Sequence, residues 1–439
     1  MPSPAIAGAA EPSALFKYGV EHVFCEPAWY QFFESPYYND HHRAFRAKVR
    51  KFVDALNPSL DDWEEQHVTK GFEMPVKEII AKARAVGIYS PMWPAELGGT
   101  PPEGGWDAFM DLILCDETAR LVSAGPKSIF GITTMALPPL LQYGSKHIVE
   151  TYAKPVINGD KYLALCISEP YAGSDVGGMR ATAKREGDHY ILNGEKKWIT
   201  MGCHADYFTV AARTGEVGHK GISLFIVERN SPGVEVKRMK LQGHWLSGTS
   251  MVLFNDVKVP AVNLIGEENK GFKVIMHNFN HERYVIAVQA NRGSRGLLSE
   301  AFHYSFQRKT FGKRLVEHQV IRQKLADMAM RVESVQALIE NITYQMQKGV
   351  PNERLGGVMA LLKVNATRTL ELCCRETSQI FGGASFVRGG VGVRVERASR
   401  DVRGAVVPGG SDEILADLAI RQALLLTQRF KAEKELSKM

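Results

Sequence analysis

From about His41 onward, apolar residues recur at helical spacing, through Phe45, Val49 and Phe52 and again through Val76, Ile79, Ile80 and Ala83. Pro94-Ala-Glu-Leu-Gly-Gly99 breaks the chain, and Ala108 to Leu121 resumes a buried helical pattern. Between about Tyr162 and Gly266 the period shortens. Runs such as Tyr190-Ile-Leu-Asn-Gly-Glu, Tyr207-Phe-Thr-Val-Ala-Ala and Ile222-Ser-Leu-Phe-Ile-Val-Glu, separated by Gly, Asn and Pro, read as strands. After Gly271 helical spacing returns, interrupted by glycine-rich stretches at 382–392 and 404–410. The pattern predicts an α+β chain with an N-terminal helical domain over 39–160, a middle β-domain over 161–270 and a C-terminal helical bundle over 271–439. Residues 1–38, rich in Ala, Pro and aromatics and without clear period, are expected to form an extension outside this core.

Composition narrows the class. A chain of 439 residues with 45% hydrophobic content can bury several cores. Its net charge of +6 is spread over 54 basic and 48 acidic residues, with no basic stripe interleaved with aromatics, so nucleic acid is not an expected partner. Cys25, Cys115, Cys166, Cys203, Cys373 and Cys374 lack Cys-x-x-Cys spacing, which predicts neither a disulfide framework nor a metal site. No run of eighteen apolar residues marks a transmembrane segment. The first sixteen residues contain no Arg or Lys, unlike a secretory signal or an Arg-rich presequence. Ser437-Lys438-Met439 differs by one residue from the Ser-Lys-Leu address, giving the expectation of a peroxisomal protein, with the mitochondrial matrix or cytoplasm as alternatives.

Chemistry concentrates in Cys166-Ile-Ser-Glu-Pro-Tyr-Ala-Gly-Ser-Asp175 and, further on, in Trp198-Ile199-Thr200. Ser168 supplies a hydroxyl, Gly173 lets the main chain approach a ligand closely, and Ser174 with Asp175 can orient N–H groups toward an anion. Trp198 offers a stacking face and Thr200 a hydroxyl. An ordinary surface turn before a hairpin has the same composition, so these segments gain meaning only in combination.

Together with Gln379-Ile-Phe-Gly-Gly383 and Arg308-Lys-Thr-Phe-Gly-Lys313, they resemble the acyl-CoA dehydrogenase family of flavoenzymes, in motif order and spacing, over roughly residues 40 to 430. The resemblance implies two helical domains flanking a β-domain, non-covalent FAD, and removal of two hydrogens from an acyl-CoA thioester. It places Cys166, Ser168, Ser174, Trp198, Ile199 and Thr200 around the flavin ring, and Arg308, His318, Gln319, Gln379, Gly382 and Gly383 at the pyrophosphate and adenine. Ser411 and Glu413 are assigned to the cofactor, and Ser174, Asn280, Arg283 and Gly410 to the acyl-CoA. A homodimer or homotetramer follows by the same resemblance, with an electron-transfer flavoprotein or O2 as acceptor.

In many family members the catalytic base is a Glu near the C-terminus, but here Gly409 occupies that position in Val407-Pro-Gly-Gly-Ser-Asp-Glu-Ile414. Glu282, in His281-Glu-Arg283, matches the long-chain and isovaleryl-type branches, where a Glu before an Arg serves as base and a small residue replaces the distal Glu. An isolated Glu-Arg pair on a helix is ordinarily solvated; its coincidence with Gly409 points to catalysis. The Gly409 N–H is expected to help bind the thioester oxygen. Ser385, the Arg388-Gly-Gly-Val-Gly392 segment and Asn280 depart from the family pattern. The expected activity is α,β-dehydrogenation of fatty or branched acyl-CoA to trans-2-enoyl-CoA. The alternatives are a peroxisomal acyl-CoA oxidase using O2 and a flavin-binding scaffold that has lost its base.

Overall fold

A computed structural model describes residues 22–436, residue 32 excepted. The N-terminal helices follow the apolar period. Helix α1 (Asp40–Lys70) opens on a reciprocal cap, in which Asn39 Oδ1 accepts from the His42 N–H and His42 Nδ1 accepts from the Asn39 N–H, each at 3.1 Å. That assignment leaves His42 Nε2 to donate to Asp107 at 3.1 Å, and Asp107 in turn caps α3. Helix α2 (Val76–Ala85) buries Val76, Ile79, Ile80 and Ala83, and α3 (Ala108–Thr118) and α4 (Ala124–Ala136) complete the layer facing the rest of the molecule.

The middle domain is an eight-stranded sheet ordered β6-β7-β3-β2-β4-β5-β8, with β1 paired parallel to β4. Its strands are β1 (Leu163–Cys166), β2 (Thr182–Glu186), β3 (His189–Ile199), β4 (Tyr207–Arg213), β5 (Ile222–Glu228), β6 (Val234–Arg238), β7 (Ser250–Pro260) and β8 (Leu264–Ile265). Between Lys196 and Ile199 the β3–β7 register slips. The C-terminal domain holds α5 (Gly271–Gln307), a small hairpin of β9 (Lys309–Thr310) and β10 (Lys313–Arg314), then α6 (Gln319–Gln347), α7 (Asn352–Phe381), α8 (Val393–Val406) and α9 (Asp412–Leu436). Helix α8 runs into the predicted break at 404–410 and ends at Val406, so that only 407–411 leave helical conformation. Gly404 serves close packing instead, since a Cβ there would stand 2.9 Å from the His244 ring.

The expectation for residues 1–38 requires correction in its described part. Cys25, Glu26, Trp29 and Tyr30 are buried, and Ala28–Gln31 form a helical turn. Glu26 bonds Arg50 at 3.0 Å, Arg120 at 2.9 Å and Arg292 of α5 at 2.8 Å, while Asp116 bonds Arg46 at 2.6 Å and Arg292 at 2.5 Å. Burial alone would raise the Glu26 pKa, but Arg292, Arg50, Arg120 and Arg46 hold it down at about 2. Low hydrophobic periodicity concealed this segment because Cys25, Trp29 and Tyr30 enter the cores without a regular spacing and the buried Glu26 finds its arginines only through space. Ser437-Lys438-Met439 lies outside the described residues. Among those described, no helix is long and apolar enough to cross a membrane, and no group of three or more His, Cys, Asp or Glu could hold a metal ion.

Candidate functional site

Glu282 lies in the first half of α5, buried, with Asn278 four residues earlier donating to its Oε1 at 3.2 Å and also to the Met135 carbonyl at 3.0 Å. Asn278 therefore ties the carboxyl group to the C-terminal end of α4. Adjacent side chains on a helix diverge, so Arg283 turns away from Glu282. Its Nε donates to the Gly409 carbonyl at 3.3 Å and its NH1 to Asn280 Oδ1 at 3.1 Å. Burial raises the Glu282 pKa to about 7, opposed by the Asn278 hydrogen bond and by His281 and Arg283. His281 itself pairs with Asp111 of α3 at 2.8 Å. Glu282 is thus not a solvated helix-surface group, and its carboxyl is tuned to exchange a proton near neutrality.

Gly409 faces the same helix. Its φ is 75°, and a Cβ built on it would stand 2.7 Å from Ile286 Cδ1 and 3.9 Å from Arg283 Cγ. The fold therefore brings position 409 against α5 one turn from Glu282, so the two alternative base positions converge on one region. The turn is held from behind by Lys363 of α7, fully buried, whose ammonium donates to the carbonyls of Val406 and Gly410, the latter at 2.9 Å. Gly410 has φ 112° and its carbonyl is committed to Lys363. Ser411 and Glu413 begin α9, where the Ser411 carbonyl accepts from the Leu415 N–H at 3.0 Å. Asn280 is engaged within the protein, donating to the Asn352 carbonyl and Oδ1 at 2.9 and 3.0 Å.

A second group forms on the β-domain. The Lys197 N–H donates to the Ser168 carbonyl at 3.0 Å, bringing the Ser168 turn beside Trp198 to Thr200. The slip in the β3–β7 ladder turns Trp198 outward, with φ 62° and 49% of its surface exposed. A tryptophan held in left-handed backbone with an open face is a functional posture rather than a packing one. Beneath it, the buried Lys196 ammonium donates to the Ile167 carbonyl at 3.0 Å and Glu169 Oε1 at 2.7 Å, and Glu169 accepts the Arg180 and Ala181 N–H groups at 2.6 and 3.1 Å. Ser168 and Thr200 are half-buried and Ser174 exposed, and their hydroxyls bond to no described residue. A Cβ at Gly173 would meet nothing within 4 Å. Free hydroxyls, an open aromatic face and open space beside a glycine turn fit a flat cofactor rich in hydrogen-bonding edges. Cys166 and Ile199 are buried, so only their backbones can face such a ligand.

Arg308, His318 and Gln319 lie on the α5–α6 connection, with the Arg308 N–H donating to the Tyr304 carbonyl at 2.9 Å. Tyr304 stacks on Phe381 with ring centroids 4.1 Å apart, which brings this connection to Gln379, Gly382 and Gly383 at the end of α7. No hydrogen bond joins this third group to the Ser168–Trp198 group among the described residues. Ser385 closes the α7 terminus by donating to the Ser378 and Gly382 carbonyls at 3.1 and 2.8 Å, and Arg388 pairs with Glu65 at 2.6 Å. These departures from the family pattern are thus structural contacts. Asn278 was missed in the sequence, where its signal was its place four residues before Glu282 on one helix face; Lys363, Lys196 and Asp111 carry no local signal.

Comparison with known proteins agrees with the three-domain architecture. Family models for the N-terminal, middle and C-terminal domains of acyl-CoA dehydrogenases match residues 39–160, 164–257 and 269–424. The chain is 39% identical over 415 residues to the acyl-CoA dehydrogenase AFT10-1 of Alternaria alternata, covering 91% of this chain and 95% of that one. It is 34% identical to the caffeyl-CoA reductase-Etf complex subunit CarC of Acetobacterium woodii, covering 86% and 97%. The solved butyryl-CoA dehydrogenase of Megasphaera elsdenii superposes with a TM-score of 0.80 at 30% identity, covering 90% and 100%.

Proposed function

Since the chain belongs to the acyl-CoA dehydrogenase family, whose members are FAD-dependent oxidoreductases acting on CH–CH donors, we propose that Glu282 is the base that takes the α-proton of a bound acyl-CoA thioester. The observation that carries this reading is a buried carboxyl with a pKa of about 7 on the helix face that also meets Gly409. A carboxyl of ordinary acidity would be too weak a base, and a glycine cannot take a proton. The Gly409 N–H lies in the turn held by Arg283 and Lys363, and that turn gives the thioester oxygen a fixed donor. The residues of the Ser168 turn and Trp198 to Thr200 would hold the flavin ring. Bound there, FAD would supply the acceptor for a hydride from the β-carbon, and loss of that hydride together with the α-proton taken by Glu282 would leave a 2,3-double bond.

Relationship to a subunit of a reductase-Etf complex supports an electron-transfer flavoprotein as the acceptor. Exposed apolar side chains near the third group, Phe311 at 96% and Phe386 at 90%, support assembly with further copies of the chain, which would carry Arg308 and the Gln379 loop to a neighbouring site. Anaerobic titration of the flavin-loaded protein with acyl-CoAs tests the function. Bleaching of flavin absorbance in wild type and its loss in Glu282→Gln are expected. Bound flavin that no acyl-CoA bleaches would leave the scaffold reading, and rapid peroxide formation in air would identify an oxidase.

A further inference from the structure

Helix α4 continues past the base. Met135 of α4 meets Asn278 beside Glu282, and a Cβ at Gly131 would stand 3.5 Å from Gln289 of α5. Lys127, one turn before Gly131, shares that face of α4. The eight residues from Met135 to Lys127 correspond to about 12 Å of helix rise, so Lys127 stands well beyond the carbons at which the chemistry occurs.

Lys127 has enough protein around it for burial to pull its pKa down, with Asp401 of α8 opposing, yet it keeps part of its surface accessible. His244 has the same character. Its backbone, at φ 56°, is fixed by an N–H bond to Asp401 Oδ1 at 2.7 Å, its ring lies against Gly404, and it too is half-buried. Contact between the segment after His244 and α4 is close, since a Cβ at Gly125 would stand 2.5 Å from the Leu246 carbonyl.

The other charges at this end are partnered. Arg397 pairs with Asp61 at 2.6 Å, Arg400 with Glu396 at 2.7 Å, and Glu64 accepts from Ser123 at 2.5 Å. The Lys127 ammonium and the His244 ring bond to no described residue. Two half-buried donors with no protein acceptor would lose their water, at a cost, if a hydrocarbon tail were laid against them. Asp401 offsets the lysine charge, so a neutral oxygen acceptor suits this pair of donors as well as an anion does.

Resting on the acyl-CoA reading above, we propose that Lys127 and His244 form a polar end to the acyl pocket and select acyl-CoAs that carry a hydrogen-bond-accepting oxygen far from the thioester. Matched acyl-CoAs of one length, ending in a methyl, a keto group or a carboxylate, test this by anaerobic flavin bleaching and by calorimetric binding of the corresponding enoyl-CoAs to the flavin-loaded protein. A charge-assisted hydrogen bond predicts a preference of about 10- to 100-fold for an oxygenated tail over the methyl tail. Lys127→Met should collapse that ratio toward unity in both measurements, and Lys127→Arg should retain part of it. Preference for keto over carboxylate would identify a neutral acceptor, and the reverse an acidic one. Equal or better use of the methyl tail by wild type, or a ratio unchanged in Lys127→Met, would overturn the proposal while leaving the enzyme reading intact. If Lys127→Met does not fold, the wild-type ratio and Lys127→Arg decide. Failure of every acyl-CoA to bleach the flavin would instead overturn the reading beneath it.

Discussion

Arg283 Nε donates to the Gly409 carbonyl across 3.3 Å, joining residues 126 positions apart and setting the 407–411 loop, whose Gly409 N–H is proposed to meet the thioester, against the helix that carries the proposed base. The same helix thus supplies the carboxyl through Glu282 and the anchor of its partner loop through Arg283.

That coupling makes Glu282 the most sensitive position. Glu282→Gln should lower the rate of flavin bleaching by at least about 10²–10⁴-fold, the range of a lost general base. In wild type only the ionised carboxyl accepts a proton, so kcat/KM should rise with pH through about 7 and then level. A profile flat from pH 5 to 9 would remove Glu282 from this role.

The same substitution should stabilise the protein in alkali. An unfolded Glu titrates near the usual 4.5, whereas burial raises Glu282 in the fold to about 7. Between these values the folded state holds more protons, so its contribution to stability falls as pH rises and is fully lost above the folded value. The loss is on the order of 3 kcal/mol. Glu282→Gln should therefore melt higher than wild type at pH 8, with the difference vanishing toward pH 4. Equal Tm values at pH 8 would contradict a buried, neutral-tuned carboxyl.

Lys363→Met tests the turn from behind. It leaves the Val406 and Gly410 carbonyls without their buried donor, at a cost of about 1–3 kcal/mol for each unsatisfied group. Flavin content should be retained while kcat falls, since the disturbed element is the 407–411 loop and not the β-domain. Loss of flavin with unchanged turnover per remaining flavin would refute that division.

Lys196→Met should do the opposite. It strands the buried Glu169 carboxylate without its counter-charge, typically costing about 3–5 kcal/mol, and loosens the turn next to Trp198. The flavin-to-protein absorbance ratio of the purified protein should drop. An unchanged ratio would show that the Ser168 turn does not hold the cofactor.

Glu26→Ala should destabilise the molecule by about 3–5 kcal/mol, because Arg50, Arg120 and Arg292 lose a shared buried carboxylate. Sign follows from its depressed pKa. The stabilisation is present above the unfolded value of 4.5 and lost as pH falls through the folded value of about 2. Wild type and variant should converge in thermal unfolding as pH approaches 2.

By itself the sequence determined the three-domain order, since apolar periods of helices and strands are local properties and Val76, Ile79, Ile80 and Ala83 are buried as their spacing requires. Through the resemblance to the acyl-CoA dehydrogenases it also supplied the pairing of Glu282 with Gly409, two short motifs that carry meaning only in combination. Only the tertiary structure decided that the carboxyl is buried to a pKa of about 7, that Lys363 and Arg283 pin the Gly409 turn, and that Glu26 reaches Arg292 across 266 residues. Those are properties of groups brought together from distant segments, where charge and hydrogen bonding act through space with no periodic signature along the chain.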